Sequence, residues 1–147
     1  MGVSNTLIVD NAGGHLMQIG QVDVCVVGSD RTTRCGDVCN KIGTYLKALA
    51  ARASNIPFYA ALPVSTIDFS IRTGVGNIPI EERPADEISY VCGIDETGEM
   101  SKLRIVEEGT RIKNYGFDIT PAEFISGIIT EKGVFQANEI SLRQALD

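Results

Sequence analysis

The sequence has no tryptophan, one histidine (His15) and four cysteines among its 147 residues. It has no apolar run approaching the roughly 20 residues that cross a bilayer, so an integral membrane protein is not expected. Cys25, Cys35, Cys39 and Cys92 include no CxxC pair, which argues against a disulfide scaffold and points to the reducing cytoplasm. Cys35 and Cys39 stand four apart, but no histidine or acid cluster completes a tetrahedral set around them, so no metal is expected. GxSxG, P-loop and GxGxxG patterns are missing, and with them the usual signs of a serine hydrolase, an ATPase or a dinucleotide enzyme. Positive charge is also scarce: 13 Lys and Arg against 19 Asp and Glu give a formal charge of −6, the wrong sign for a general nucleic-acid binder. The deficit is uneven. Residues 81–108 hold nine acids against Arg83, Lys102 and Arg104, whereas residues 1–60 hold four acids and five bases, so an anion site belongs in the first half.

What is present is the pattern of one α/β core, and residues 1–147 are expected to form a single domain. Residues 6–9 (Thr-Leu-Ile-Val) read as a buried strand closed by Asp10-Asn11, and residues 12–19 as a short helix ended by Gly20. Residues 22–27 (Val-Asp-Val-Cys-Val-Val) are nearly continuous in apolar character, which suits a central parallel strand covered on both faces. Val38, Ile42, Tyr45, Leu46, Leu49 and Ala53 recur every three or four residues and predict an amphipathic helix over 36–54. Residues 57–62 form the third strand. Strand, helix, strand, helix, strand predicts a Rossmann-like open, mostly parallel sheet with helices on both faces. After Pro63 the glycines and prolines break any period, leaving an extended region with a short helix near 84–88 and a short strand near 103–106. Asp118, Pro121 and Glu123 resemble a helix start and predict a helix over 124–130. Phe117, Phe124, Ile125, Ile128, Ile129, Val134 and Phe135 give the end of the chain enough apolar surface for either core packing or a dimer interface.

In open α/β sheets, ligands bind beyond the carboxyl ends of the strands. The loop after residue 27 is the richest such place: Gly28-Ser29-Asp30-Arg31-Thr32-Thr33-Arg34-Cys35-Gly36-Asp37 brings acids, guanidinium groups and hydroxyls to a predicted helix start. Free backbone N–H groups there would cradle a phosphate, with Asn40 and Lys41 close by. The plain alternative has Asp30 paired with Arg31 and Asp37 capping the helix.

The same stretches, Gly28-Ser29-Asp30-Arg31, Gly36-Asp37-Val38-Cys39-Asn40-Lys41-Ile42-Gly43-Thr44-Tyr45, Pro57-Phe58-Tyr59-Ala60-Ala61, Ser65-Thr66-Ile67-Asp68 and Ile78-Pro79-Ile80-Glu81-Glu82-Arg83, closely resemble the methylthioribose-1-phosphate isomerase family. Gly116-Phe117-Asp118-Ile119-Thr120-Pro121-Ala122-Glu123 and Ile128-Ile129-Thr130-Glu131-Lys132-Gly133-Val134 are similar to its closing signature, shared more loosely with the regulatory subunits of translation initiation factor 2B. The resemblance implies isomerisation of an aldose to a ketose phosphate in methionine salvage, without metal or nucleotide cofactor, in a cytoplasmic homodimer. It implies Asp30 as the catalytic acid and Asn40 and Lys41 as substrate-binding residues. The family's catalytic cysteine and phosphate-binding arginines lie in an N-terminal half that has no counterpart here, so no cysteine of this chain receives that role. This chain resembles the C-terminal half and is expected to be inactive without the other. Ser29, Thr32 and Asn114-Tyr115-Gly116 depart from the family pattern and leave the exact sugar open. The competing reading is a non-catalytic module of the initiation-factor type that senses a sugar phosphate or nucleotide.

Overall fold

A computed structural model describes residues 2–146. In chain order the elements are α1 (Ala12–Gln18), β1 (Cys25–Val27), β2 (Arg31–Thr33), β3 (Val38–Lys41), α2 (Thr44–Ala53), β4 (Phe58–Ala61), β5 (Ile67–Asp68), α3 (Asp86–Ser89), β6 (Tyr90–Ile94), β7 (Met100–Arg104), β8 (Phe117–Thr120), β9 (Gly127–Thr130), β10 (Gly133–Phe135) and α4 (Glu139–Arg143). They form two compact units, Met1–Pro79 with Phe117–Asp147, and Ile80–Gly116.

The fold is mixed α/β. In place of one open sheet, the first unit carries two of four strands each. One has the order β1-β4-β9-β10, with β1, β4 and β9 parallel and β10 antiparallel at the edge. The other has the order β5-β2-β3-β8 and is mostly antiparallel. Phe58 and Ala60 of β4 and Ile128 of β9 point into a core shared with Met17, Val38, Ala48, Ala51 and Leu142. Each large side chain fully buried there contributes roughly 1.5–3 kcal/mol.

Three expected elements come out differently. Residues 6–9 form no strand: Leu7 is 97% and Val9 78% exposed, and an apolar run without a neighbouring strand has nothing to pair with. The helix expected over 36–54 begins only at Thr44, because Val38, Cys39, Asn40 and Lys41 pair with Thr120, Ile119, Asp118 and Phe117 as an antiparallel strand. The helix expected over 124–130 is a single tight turn, Ala122–Phe124, followed by β9. The β-branched Ile128, Ile129 and Thr130 prefer the pleated surface beside β4, and that preference outweighs the capping pattern.

The second unit is a hairpin of β6 and β7 behind the one-turn α3. At its tip, the Asp95 carboxylate accepts from the hydroxyls of Thr97 and Ser101 and the N–H groups of Thr97 and Glu99. These bonds, with the Thr97 hydroxyl foremost, hold its pKa at about 2, below the ordinary 3.8. The contribution is present above the ordinary value and is lost as pH falls through about 2. Amide exchange at Thr97 and Glu99 is therefore expected to accelerate, beyond its intrinsic pH dependence, as pH drops from 4 toward 2. Asp95→Asn should abolish that added acceleration; an unchanged pH profile in the variant would contradict the assignment.

Candidate functional site

Asp30 lies just beyond the carboxyl end of β1, and its backbone N–H donates to the carbonyl of Cys39 at 2.9 Å. This bond opens the β2–β3 hairpin and lays Asp30 alongside β3. Arg31 is the neighbour that sequence suggested as its ion-pair partner, but the guanidinium instead meets Asp68 at 3.6 Å. The Asp30 carboxyl is thereby left at the rim of two adjoining clefts. One, of about 170 Å³, is lined by Asp30, Arg31, Cys39, Ile78, Pro79 and Phe117. The other, of about 350 Å³, is walled by Asp30, Arg31 and the backbone and side chains of residues 65–69.

Within this chain Asp30 is not enclosed: both clefts are open and the residue is exposed. Cys39 forms part of the first cleft and is buried. Burial pushes its thiol above the ordinary value, the Asp30 and Asp118 charges add to that, and Arg31 opposes it. Cys39 is therefore a protonated thiol at neutral pH rather than a nucleophile. Cys35 and Cys39 share no helix face, since Cys39 is on β3 and Cys35 is in the turn before it.

Asn40 and Lys41 sit on β3 instead of at a helix start. The Asn40 amide donates to the Thr44 hydroxyl at 3.1 Å, and that hydroxyl donates to the Lys41 carbonyl at 2.7 Å. The Lys41 ammonium stands 5.2 Å from the centroid of the Phe117 ring, which itself lines the first cleft. Asp30, Cys39 and Phe117 are thus brought to one cleft, with the Lys41 ammonium over the ring of Phe117, whereas the Asn40 amide donates to the start of α2. Ile78 and Pro79 lie in a stretch that carries the family resemblance, but no site role was read for them. Phe117 was read as an apolar residue and as part of the closing signature, not as a residue of the site.

The phosphate cradle expected at the helix start is already filled. The Asp118 carboxylate accepts from the N–H of Gly43 at 2.7 Å and of Tyr45 at 3.1 Å. A carboxylate from β8 satisfies the donors and complements the positive end of α2, as a bound anion would. Asp118→Ala is expected to cost about 2–3 kcal/mol, read as a lower urea midpoint, with Asp118→Asn intermediate. An unshifted midpoint for both variants would contradict this role. Asp37 is likewise a tie and no helix cap: its carboxylate accepts from the N–H groups of Gly74 at 2.8 Å and Ala122 at 2.9 Å. Among the described residues, no group of three His, Cys, Asp or Glu side chains is placed to hold a metal ion.

Comparison with known proteins bears on this geometry. A methylthioribose-1-phosphate isomerase from Methylorubrum extorquens is 60% identical over 141 residues, covering 96% of this chain and 39% of the relative. One from Rhizobium meliloti is 61% identical over 133 residues, covering 90% of this chain and 36% of the relative. The crystal structure of 5-methylthioribose 1-phosphate isomerase from Pyrococcus horikoshii OT3 superposes with a TM-score of 0.85 at 39% identity, covering 99% of this chain and 38% of that one. The translation initiation factor eIF-2B subunit delta from A. fulgidus gives the same TM-score at 38% identity, covering 99% and 39%. This chain therefore spans about two-fifths of the length of these proteins. With residues 1–137 matching the family pattern throughout, the chain belongs to the Initiation factor 2 subunit family.

Proposed function

We propose that this chain is the acid-bearing part of a sugar-phosphate isomerase that converts methylthioribose 1-phosphate to methylthioribulose 1-phosphate in methionine salvage. The observation that carries the reading is the Asp30 carboxyl, left uncommitted at the end of β1 beside a cleft floored by Cys39 and Phe117. The names of relatives near 60% identity support the substrate.

The chemistry asks for such a group. A phosphate on C1 locks the sugar as a ring, so an acid must protonate the ring oxygen before hydrogen moves between C1 and C2. Aldose and ketose are isomers: C2 is oxidised as C1 is reduced, and the balance needs no external oxidant or reductant. Asp30 serves as the acid, and Lys41, its ammonium over the ring of Phe117, holds phosphate or hydroxyl oxygens. Asn40 keeps its carbonyl oxygen and the second N–H of its amide for substrate, the first being given to Thr44. A carboxylic acid donates at neutral pH only when a dry site raises its pKa. The cover that Asp30 lacks here then comes from the remainder of the full-length protein, which completes a Rossmann-like sheet and works as a cytoplasmic homodimer.

The test is to co-express this chain with the unmatched remainder of the Methylorubrum extorquens relative and assay methylthioribulose 1-phosphate formation. Turnover that neither polypeptide gives alone is expected. Tight sugar-phosphate binding without turnover would favour the second reading, a non-catalytic sensor, to which the likeness to eIF-2B subunit delta and the exposure of Asp30 lend support.

A further inference from the structure

Three arginines converge on one carboxylate beside the turn of the β2–β3 hairpin. The Arg34 N–H donates to the Ile71 carbonyl at 3.0 Å, which lays this turn along the segment that carries Arg72. Gly36 of the same turn meets the backbone of Ala137, just ahead of α4, and so brings up Glu139 and Arg143. The Glu139 Oε1 accepts from Arg143 Nε at 3.2 Å and Nη2 at 2.8 Å, and its Oε2 lies 3.5 Å from Arg34 Nε. Arg72, on an exposed side chain, acts on the same carboxylate through its charge. Together, with the Arg143 hydrogen bond foremost, these groups hold the Glu139 carboxyl below its ordinary value.

One carboxylate does not balance this group. Three guanidinium groups face it, which leaves two positive charges in excess within a chain whose formal charge is −6. Asp68, on the nearby β5, is engaged by Ser70 and Arg31. Hydrogen-bond donors are in excess as well, since each guanidinium carries five N–H bonds. The Arg34 Nε is sealed from solvent, and Glu139 gives it an ion pair but no hydrogen bond. A buried donor on a charged group is costly to leave unpaired. Arg143 is braced from behind by the Phe69 ring, 5.6 Å from its Cζ, so its remaining donors are held in place.

We infer that Arg34, Arg72 and Arg143 form an anion site that takes a phosphoryl group. A phosphate dianion matches the excess of two charges, and its three terminal oxygens can meet planar guanidinium forks arriving from three segments. A carboxylate offers one charge and two oxygens, and Glu139 already supplies that. Glu139 also lines a cleft of about 570 Å³ along α4, with Gln136, Ser141 and Gln144 on its walls. These uncharged polar side chains suit the body of a phosphate ester. Lys41 and Asp30 stand at the other end of the hairpin from this turn, so the site is separate from theirs and does not depend on the isomerase reading.

The experiment titrates the full chain at constant ionic strength with inorganic phosphate and, in a second arm, with glycerol 3-phosphate, following the arginine Nε–Hε signals by NMR. The signals of Arg34, Arg72 and Arg143 are expected to move along one saturating curve. Arg72→Gln, an exposed change that should leave thermal unfolding in phosphate-free buffer unaltered, is expected to raise the half-saturating concentration about 10-fold, the loss of one charge-assisted contact. Glu139→Gln should lower it about as much by removing the competing carboxylate, a gain that a purely structural ion-pair network would not show. Tighter binding of the ester than of inorganic phosphate assigns the cleft along α4 to the ester's body; equal affinity assigns the site to phosphate itself. The inference is overturned if sodium chloride at the same ionic strength moves the signals as far, or if both variants leave half-saturation unchanged. It is overturned too if binding is lost with Lys41→Gln but kept with Arg72→Gln, which would move the anion to the Asp30 cleft.

Discussion

Asp30→Asn in the assembled protein is expected to lower turnover of methylthioribose 1-phosphate by about 10²–10⁴-fold, the usual contribution of a positioned acid or base. The substitution suits the purpose because it leaves the local structure alone. The Asp30 contact that organises the hairpin is its backbone N–H to Cys39, which Asn retains, and the guanidinium beside it already belongs to Asp68. Asparagine matches the shape but has no proton to give to a ring oxygen. The loss should therefore fall on kcat, with KM nearly unchanged, and thermal unfolding of this chain should not move. Turnover within a factor of three of the parent would remove Asp30 from the chemistry. A fall in kcat and stability together would recast it as structural.

Gly36→Ala is expected to be the most damaging single methyl group in the chain, at about 3–5 kcal/mol. Gly36 closes the β2–β3 turn with its N–H to the Thr33 carbonyl and holds φ at +94°, a region that costs an L-residue roughly 1–2 kcal/mol. A Cβ there would also lie 2.5 to 2.7 Å from the carbonyl carbon, Cα and oxygen of Ala137. Those are backbone atoms just ahead of α4, which cannot swing aside as a flexible side chain can. The turn and the α4 segment would have to part, and the buried Leu142 of α4 would be disturbed with them. Against the 5–15 kcal/mol of a typical domain, this is a large fraction, and for a chain of this size it lowers Tm by roughly 10 °C. A Tm within 2 °C of the parent would refute the close approach.

The residues that misled the sequence reading share a cause. Val38 and Ile42 stand four apart, as on a helix, but Val38 is buried as a strand residue between Thr32 and Thr120, and Gly43 at φ +96° forces the chain to turn before α2 begins. Asp118 and Pro121 look like a helix start because Asp118 does cap a helix, though one that lies 73 residues away along the chain at Tyr45. Local pattern cannot report such long-range partners. The strands over 22–27 and 57–62 and the helix over 12–19 were legible because their apolar runs are dense and their ends carry glycine or proline. At the site, Asp30 and Lys41 took their expected roles from the family motif, whereas Cys39, in the same motif as Lys41, was given none. Cys39 was weighed as a metal ligand because its spacing to Cys35 reads as one helix turn. The run over 22–27 was read as a central strand covered on both faces; only Cys25–Val27 is strand, it stands at the edge of its sheet, and Val26 is exposed, because apolar density reports a strand but not its neighbours.

The clamp of Asp118 on α2 changes how an anion is recognised nearby. Backbone donors shielded from solvent would grip a phosphoryl group almost independently of ionic strength, but here a fixed negative charge has taken them. Attraction is left chiefly to Lys41, a cation on an exposed side chain whose reach in physiological salt is a Debye length of about 8 Å, since the Arg31 guanidinium is paired with Asp68. Under the proposed function, capture of a phosphorylated sugar by this face is expected to be a screened, long-armed interaction, weakened by added salt.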